Sequence, residues 1–389
     1  MISLDPELKK WLSEVRRDLH MHPEVAYAEH RTTETIKARL AEIGVEHHGF
    51  EDMTGVVGLI RCGSPGPTIA LRADIDALPI TELNQVPYCS VNEGVMHACG
   101  HDANAAIVLG VAKHLLDSGE AARLKGQVKL LFQPAEEGGA GALRMIERGV
   151  LEEPHVDRII GGHMGPDTRV GEIGIYRTLG HASADTFKLL IKGKGAHGGR
   201  PNQGNDPIVA GAYFVTTLQS VVARNVDPLD AAVITVGKFQ AGSKENIIPE
   251  EAVLEGTIRA LTPEVRELVI GRMNQISAGL AATFGLESEL TIIEGYPPCV
   301  NDEEVSLFLH QTAADVLGKE KVSFLKPTTG AEDFSFFAQE RPASIIRIGS
   351  GNPEKGITAL LHTPYFDIDE EALSVGVAVF SEAVRRFLG

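Results

Sequence analysis

Leu8, Trp11, Leu12, Val15 and Leu19 recur at helical spacing on one face of a segment that Asp5 can cap and Pro6 can start. The pattern predicts a first helix there. A second is expected over 33–43, with Ile36, Leu40 and Ile43 on one side and Gly44 as its stop. Apolar runs at 55–60, 68–73, 128–132 and 158–161 then read as strands, and helical spacing lies near 104–116 and 143–148. Strands alternating with helices predict an α/β fold whose mainly parallel central sheet is covered on both faces.

The middle of the chain keeps a different rhythm. A strand is expected over 185–191. A helix opens at Asp206-Pro207 and runs to about Arg224, and strands follow over 232–239 and 252–260. Thr262-Pro263 opens another helix that ends at Gly285, before a last strand over 288–294. The order β-α-β-β-α-β is that of a ferredoxin-like α+β unit. After Pro297-Pro298 helices and short strands return, up to a terminal helix over 371–387. The expected organisation is a discontinuous domain of residues 1–182 and 297–389, interrupted by an inserted domain of residues 183–296.

Composition narrows the function. The 389 residues are 43% hydrophobic and 23% charged, which is ordinary for a globular chain of about two domains. No apolar run is long enough to span a bilayer, and the charged first helix is not a signal peptide, so a cytoplasmic location is expected. Lys and Arg total 36 against 53 Asp and Glu, a net charge of −17, and no basic cluster stands out. That disfavours nucleic acids and anionic membranes as partners. The four cysteines are too few and too scattered for a disulfide framework. Cys62, Cys89 and Cys299 are expected to be small core residues.

Candidate chemistry collects at strand ends. The strand from Thr68 runs out into Asp74 and Asp76, the next into Glu136 and Glu137, and a third into His163. In an open parallel sheet, ligands bind beyond the carboxyl ends of the strands. His97, Cys99, His101 and Asp102 stand just before a helix that Asp102 is expected to cap. A thiolate, an imidazole and carboxylates together suit Zn, Mn, Co or Ni. Glu136-Glu137 follows Pro134 and precedes two glycines. In an extended segment neighbouring side chains diverge, so one carboxylate can bind metal while the other takes a proton from water.

Longer stretches now carry a resemblance: LHMHPE from Leu19, LRADIDALPI from Leu71, GVMHACGHD from Gly94, FQPAEEGGAGA from Phe132 and GGHMGP from Gly161. KGKGAHGGRPNQGNDP from Lys192, NIIPEEAVLEGTIR from Asn246, TTGAEDFSFF from Thr328 and LLHTPYFD from Leu360 continue it. Over essentially its whole length the chain resembles the metallo-amidohydrolase family of hippurate hydrolase, N-acyl-amino-acid amidohydrolases and plant indole-acetyl-amino-acid hydrolases. The resemblance implies a metallopeptidase-like catalytic domain with an inserted lid and dimerisation domain. It implies two divalent metal ions held by Cys99, His101, Glu137, His163 and His362. Glu136 would be the general base, and Asp76 would orient His101 or a neighbouring ligand. On the inserted domain His197 would stabilise the oxyanion, commonly in the partner subunit's site. Asn246 and Arg259 would bind the substrate's carboxylate. A homodimer or homotetramer built through the lid follows from the same resemblance.

Three places depart from the family's pattern. The lid turn reads His197-Gly198-Gly199-Arg200-Pro201-Asn202, without its usual second histidine. Asn104 replaces another histidine, and Gly165-Pro166 replaces a Trp-Pro pair. Arg200 is an added cation that can meet a second acidic group on the substrate, unless it points into solvent or pairs with Asp206. The expected reaction is hydrolysis of an N-acyl-amino acid to a carboxylic acid and an amino acid. A metallo-dipeptidase or carboxypeptidase, a cysteine hydrolase using Cys99, and a non-catalytic binding protein are the alternatives.

Overall fold

The computed structural model describes residues 4–389. Its contacts divide the chain into two compact units. The first holds the residues up to Thr178, then Asn301–Lys326 and Phe336–Gly389; the second holds Leu179–Val300 and Pro327–Ser335. The divisions thus fall at 178/179 and 300/301 rather than at 182/183 and 296/297. Residues 327–335, placed by sequence with the terminal segment, group with the second unit.

The first helix, Pro6–Met21, starts as its sequence requires: the Asp5 carboxylate accepts the Glu7 N–H at 3.0 Å, and Pro6 sits in the first turn. Leu8, Leu12, Val15 and Leu19 are buried. The second helix, His30–Glu42, begins three residues earlier than the apolar spacing suggested, and Gly44 past its end is left-handed at φ 77°.

The first unit is built on an eight-stranded sheet. Its centre is a parallel set in the order Lys125–Gln133, Ser64–Asp74, Arg158–Arg169 and Ala343–Gly351. Antiparallel pairing extends it outward through Val56–Arg61 and Glu46–Gly49 on one side and through Ile173–Ile175 on the other. The strand Val322–Phe324 completes the latter side. The central strands are buried along most of their length, as expected of parallel strands covered on both faces. Helix His101–Asp117 is buried almost all round, so its amino end is fixed in place. It packs on Pro6–Met21 and on the last helix, Glu371–Leu388. At Gly110 a Cβ would stand 2.4 Å from Leu12 Cδ2, and at Gly376 one would stand 2.6 Å from Ile107 Cδ1. Glycine permits both close helix crossings.

The second unit carries a four-stranded sheet in the order Ala232–Ala241, Glu251–Ala260, Ala184–Lys192 and Glu287–Tyr296, antiparallel throughout. With helices Pro207–Asn225 and Pro263–Phe284 this is the ferredoxin-like arrangement. Both helices open on a capped proline: Asp206 accepts the Ile208 N–H at 2.9 Å and Thr262 the Val265 N–H at 3.3 Å. The core between sheet and helices centres on Phe187, Phe214, Leu254 and Met273. Burying a side chain such as Phe214 contributes about 1.5–3 kcal/mol.

No helix among the described residues is long and apolar enough to cross a membrane. Among the described residues no cysteine is paired in a disulfide. Cys299 is buried as expected; Cys62 is half-buried against the core of the first unit, and Cys89, also half-buried, is not a core residue.

Candidate functional site

The parallel centre of the sheet delivers its strand ends to one edge. Asp74 closes its strand completely buried, its Oδ2 taking Arg72 Nη1 at 2.7 Å and its Oδ1 taking Asn104 Nδ2 at 2.7 Å. Asn104, one of the departures from the family pattern, is thus engaged with this carboxylate. The next strand ends at Gln133 and leads into Glu136 and Glu137. His163 does not follow a strand end as expected. Its strand continues to Arg169, paired with Ala343–Gly351. On the other side, however, the ladder with Ser64–Asp74 stops at Gly161, so His163 lies just past the end of that ladder. Two residues later the Arg347 side chain packs against Gly165, where a Cβ would lie 2.4 Å from Arg347 Cγ.

Cys99 and His101 flank Gly100, which is left-handed at φ 83° and forms the amino boundary of helix His101–Asp117. Asp102 does not cap that helix. It lies in the first turn, where its Oδ2 takes Arg16 Nε at 2.8 Å and lies 2.8 Å from His20 Nδ1. All three side chains are buried.

Asp76 stands where it can orient His101 and a neighbouring ligand, and it does so through its backbone carbonyl as well as its carboxylate. Its backbone carbonyl lies 2.8 Å from His101 Nδ1, with the carboxylate at 3.3 Å. The two carboxylate oxygens accept the N–H groups of Glu136 and Glu137, at 3.0 and 2.9 Å. The glutamates sit on a turn, not on an extended segment, with Ala135 at φ 54° before them. With its Nδ1 directed at Asp76, His101 presents Nε2 to the site, and this buried nitrogen has no hydrogen-bond partner.

Around that nitrogen the other donors gather. Cys99 Sγ is 3.4 Å from His163 Nε2 and 3.3 Å from His362 Nε2. His362 Nε2 is also 3.0 Å from Glu137 Oε1. Cys99, His101 and His163 offer ligand atoms within 4.8 Å of one another, as do Cys99, Glu137 and His362, and so do His101, Glu136 and Glu137. His362 reaches the cluster from a backbone at φ 60°, its N–H given to Ala98 O at 2.8 Å.

The electrostatics express crowding of like donors. Burial holds the Cys99 thiol above its ordinary range and pushes His163 down to about 4. Contacts with Cys99 and Glu137 push His362 up to about 10. Burial opposes charge on His101, but neighbouring Asp74 holds its pKa well above the usual value. A thiol, three imidazoles and a carboxylate suit a divalent cation, which takes the thiolate and the neutral imidazoles together. The partnerless His101 Nε2 fits the same use.

The second unit carries the remaining predicted residues. His197 lies in a two-residue strand paired with Ile247–Ile248, and its Nδ1 accepts the Gly199 N–H at 2.9 Å. Asn246 O accepts the Gly198 N–H at 2.8 Å. His197 and Asn246 share the lining of a groove of about 810 Å³, which includes neither Arg200 nor Arg259. Arg259 is half-buried on strand Glu251–Ala260, and Arg200 is exposed. Asp206, a possible partner of Arg200, is engaged as a helix cap.

Sequence reasoning missed Arg16, His20 and Glu29. His20 lies within LHMHPE and Arg16 and Glu29 on either side of it, but nothing in that spacing says which distant loops they meet.

The comparisons with known proteins agree with this geometry. The chain is 40% identical over 381 residues to an N-acetyl-L-cysteine deacetylase of Bacillus subtilis (strain 168), covering 98% of this chain and 89% of the relative. It is 36% identical to thermostable carboxypeptidase 1 of Saccharolobus solfataricus, covering 98% and 96%. A crystal structure of a Bacillus subtilis protein described as a dinuclear metal binding peptidase of the M20 family superposes with a TM-score of 0.87, at 35% identity and 99% coverage of each chain. The model of peptidase family M20/M25/M40 matches residues 70–386. On that match and these near full-length relatives, the chain belongs to peptidase family M20/M25/M40 and is a hydrolase of that family.

Proposed function

We propose that the protein hydrolyses the amide bond of N-acyl-amino acids, releasing a carboxylic acid and a free amino acid. The observation that carries the reading is the donor cluster with a carboxylate pair at its edge. Cys99, His101, Glu137, His163 and His362 would hold two divalent ions, which supply Lewis-acid polarisation and water activation. The two-metal reading draws support from the similar structure described as dinuclear.

Of the two adjacent glutamates, Glu136 is assigned the role of base and Glu137 that of ligand. It is buried, and its N–H is fixed by Asp76. It takes a proton from the attacking water and returns it to the leaving nitrogen as the tetrahedral intermediate collapses. Glu137 holds its neighbours through His362, and Asp76 sets the direction of both glutamates. Asn246 and Arg259 are assigned to the substrate carboxylate and His197 to the oxyanion, through a lid that pairs two or four copies of the chain.

The 36% identical carboxypeptidase supports a second reading, in which the acyl group is itself an amino acid and the substrate a small peptide. Both readings share the same bond chemistry. A panel of N-acetyl, N-benzoyl and N-indoleacetyl amino acids against dipeptides separates them. Specificity constants at least tenfold higher for the N-acyl series are expected. Peptides ahead of every N-acyl compound would overturn the reading. Chelator should abolish turnover, and added Mn²⁺ or Zn²⁺ should restore it.

A further inference from the structure

The motif at the end of the first helix has no part in the donor cluster, yet its continuation touches the loop that bears Glu136. Glu29 is completely buried. Its Oε1 accepts the Ala135 N–H at 2.9 Å, and its Oε2 accepts the Thr54 hydroxyl at 2.6 Å. Tyr27, two residues before, donates its hydroxyl to Gly139 O at 2.6 Å. The two residues therefore hold the Glu136-Glu137 turn immediately before it and shortly after it. Asp76 holds the turn between these points, on the N–H groups of Glu136 and Glu137.

The turn needs holding. Ala135 and Ala140 both have positive φ, 54° and 52°, a strained backbone for a residue with a Cβ. Tyr27 itself is at φ 59°. Such backbones persist only where their surroundings over-determine them. Packing is tight enough to do so: a Cβ on Gly139 would stand 2.5 Å from Ala135 Cβ and 2.9 Å from Tyr27 Cε2. On Gly141 it would stand 1.7 Å from Pro134 O.

The segment with Tyr27 and Glu29 is anchored at its own start. Glu24 O accepts the Ala77 N–H at 2.8 Å, which ties it to the loop of Asp76. The Glu24 carboxylate accepts the N–H groups of Arg31 and Thr32, at 3.0 and 2.8 Å, which ties it to the second helix. One short segment thus links the Asp76 loop, the glutamate turn and a rigid helix.

We propose that Tyr27 and Glu29 are positioning residues for the reaction, fixing through the backbone of the 135–139 turn the direction in which Glu136 and Glu137 point. Neither is among the residues assigned to metal or substrate. This inference rests on the assignment of Glu136 as base.

The experiment uses the full chain loaded with Zn²⁺, the best N-acyl-amino acid of the panel above, and the variants Y27F, E29A, E29Q and E136Q. Y27F should lower kcat about fivefold, in keeping with one lost hydrogen bond. E29A should lower it tenfold or more, with KM within twofold in both. E29Q keeps an acceptor oxygen for the Ala135 N–H and should recover most of what E29A loses. A second readout is independent of turnover: amide hydrogen exchange of the 134–140 peptide in the metal-free chain. It should quicken in Y27F and E29A, while exchange in helix His101–Asp117 stays as in the wild type. Unchanged kcat together with unchanged exchange in Y27F would overturn the proposal, as would quickening spread evenly over the chain. If E136Q retains full turnover, the base assignment has failed instead, and the exchange result still decides whether the brace holds the turn.

Discussion

At the scale of single residues, two adjacent glutamates carry different duties, and the difference is measurable. Glu136→Gln should leave metal content unchanged while lowering kcat by about 10²–10⁴-fold, the usual effect of losing a general base. Glu137→Gln removes a charged donor beside Cys99 and His362 and should lower metal content. Turnover and metal analysis on the same preparations check both, and the opposite pattern would reverse the assignments. Cys99 and His101 could be found in the sequence because they stand two residues apart at a helix start, and the glutamates because they follow a strand end. His362 could not be found that way: it lies far along the chain, and only the resemblance pointed to it. Asp102 was misjudged because an acidic residue at a helix start is usually a cap, whereas the buried Arg16 that claims it lies 86 residues away in sequence.

At the scale of elements, the Arg16–Asp102 pair joins the first helix to the helix that starts at His101. Both side chains are fully buried. Removing one partner leaves a buried charge uncompensated, so Arg16→Met should destabilise the first unit by about 3–5 kcal/mol. Urea denaturation followed through Trp11, on the same helix, reads this directly. A second element-level effect comes from strand Lys125–Gln133. Lys129 is buried within it and donates to Val150 O and Pro154 O at 2.7 and 2.8 Å. Burial lowers its pKa to about 8. The folded chain therefore releases this proton before the unfolded chain does, and wild-type stability should rise relative to Lys129→Met as pH passes from about 8 to about 10. A flat difference in urea midpoint over that range would contradict the shift. Apolar periodicity revealed the helices and central strands to within a few residues. It did not reveal the run from 162 to 169 as strand. Gly162, Gly165 and Pro166 interrupt the apolar pattern there, and the pairing with Ala343–Gly351 that sustains it is long-range.

At the scale of the whole molecule, the two units have separate hydrophobic cores. The β-α-β-β-α-β order was legible because apolar runs mark its strands and local signals bound its helices: Asp206-Pro207, Thr262-Pro263 and Gly285. Its grouping with residues 327–335 was not, since that contact is set by tertiary packing alone. Within the unit, strand Leu179–His181 pairs with Cys299–Val300, so the point where the chain enters lies beside the point where it leaves. A segment with adjacent ends, its own sheet and its own core has what independent folding needs. Residues 179–300 expressed alone should therefore fold, with native-like far-UV circular dichroism and a cooperative urea transition. The missing 327–335 strip should cost stability without abolishing the transition. It pairs through the His181–Thr328 bridge and the Ala182 N–H to Gly330 O bond at 2.9 Å, while Phe187, Phe214 and Met273 keep their contacts without it. Restoring 327–335 through a short flexible linker should raise the urea midpoint. A fragment that shows no transition even with the strip restored would mean that this core is insufficient by itself.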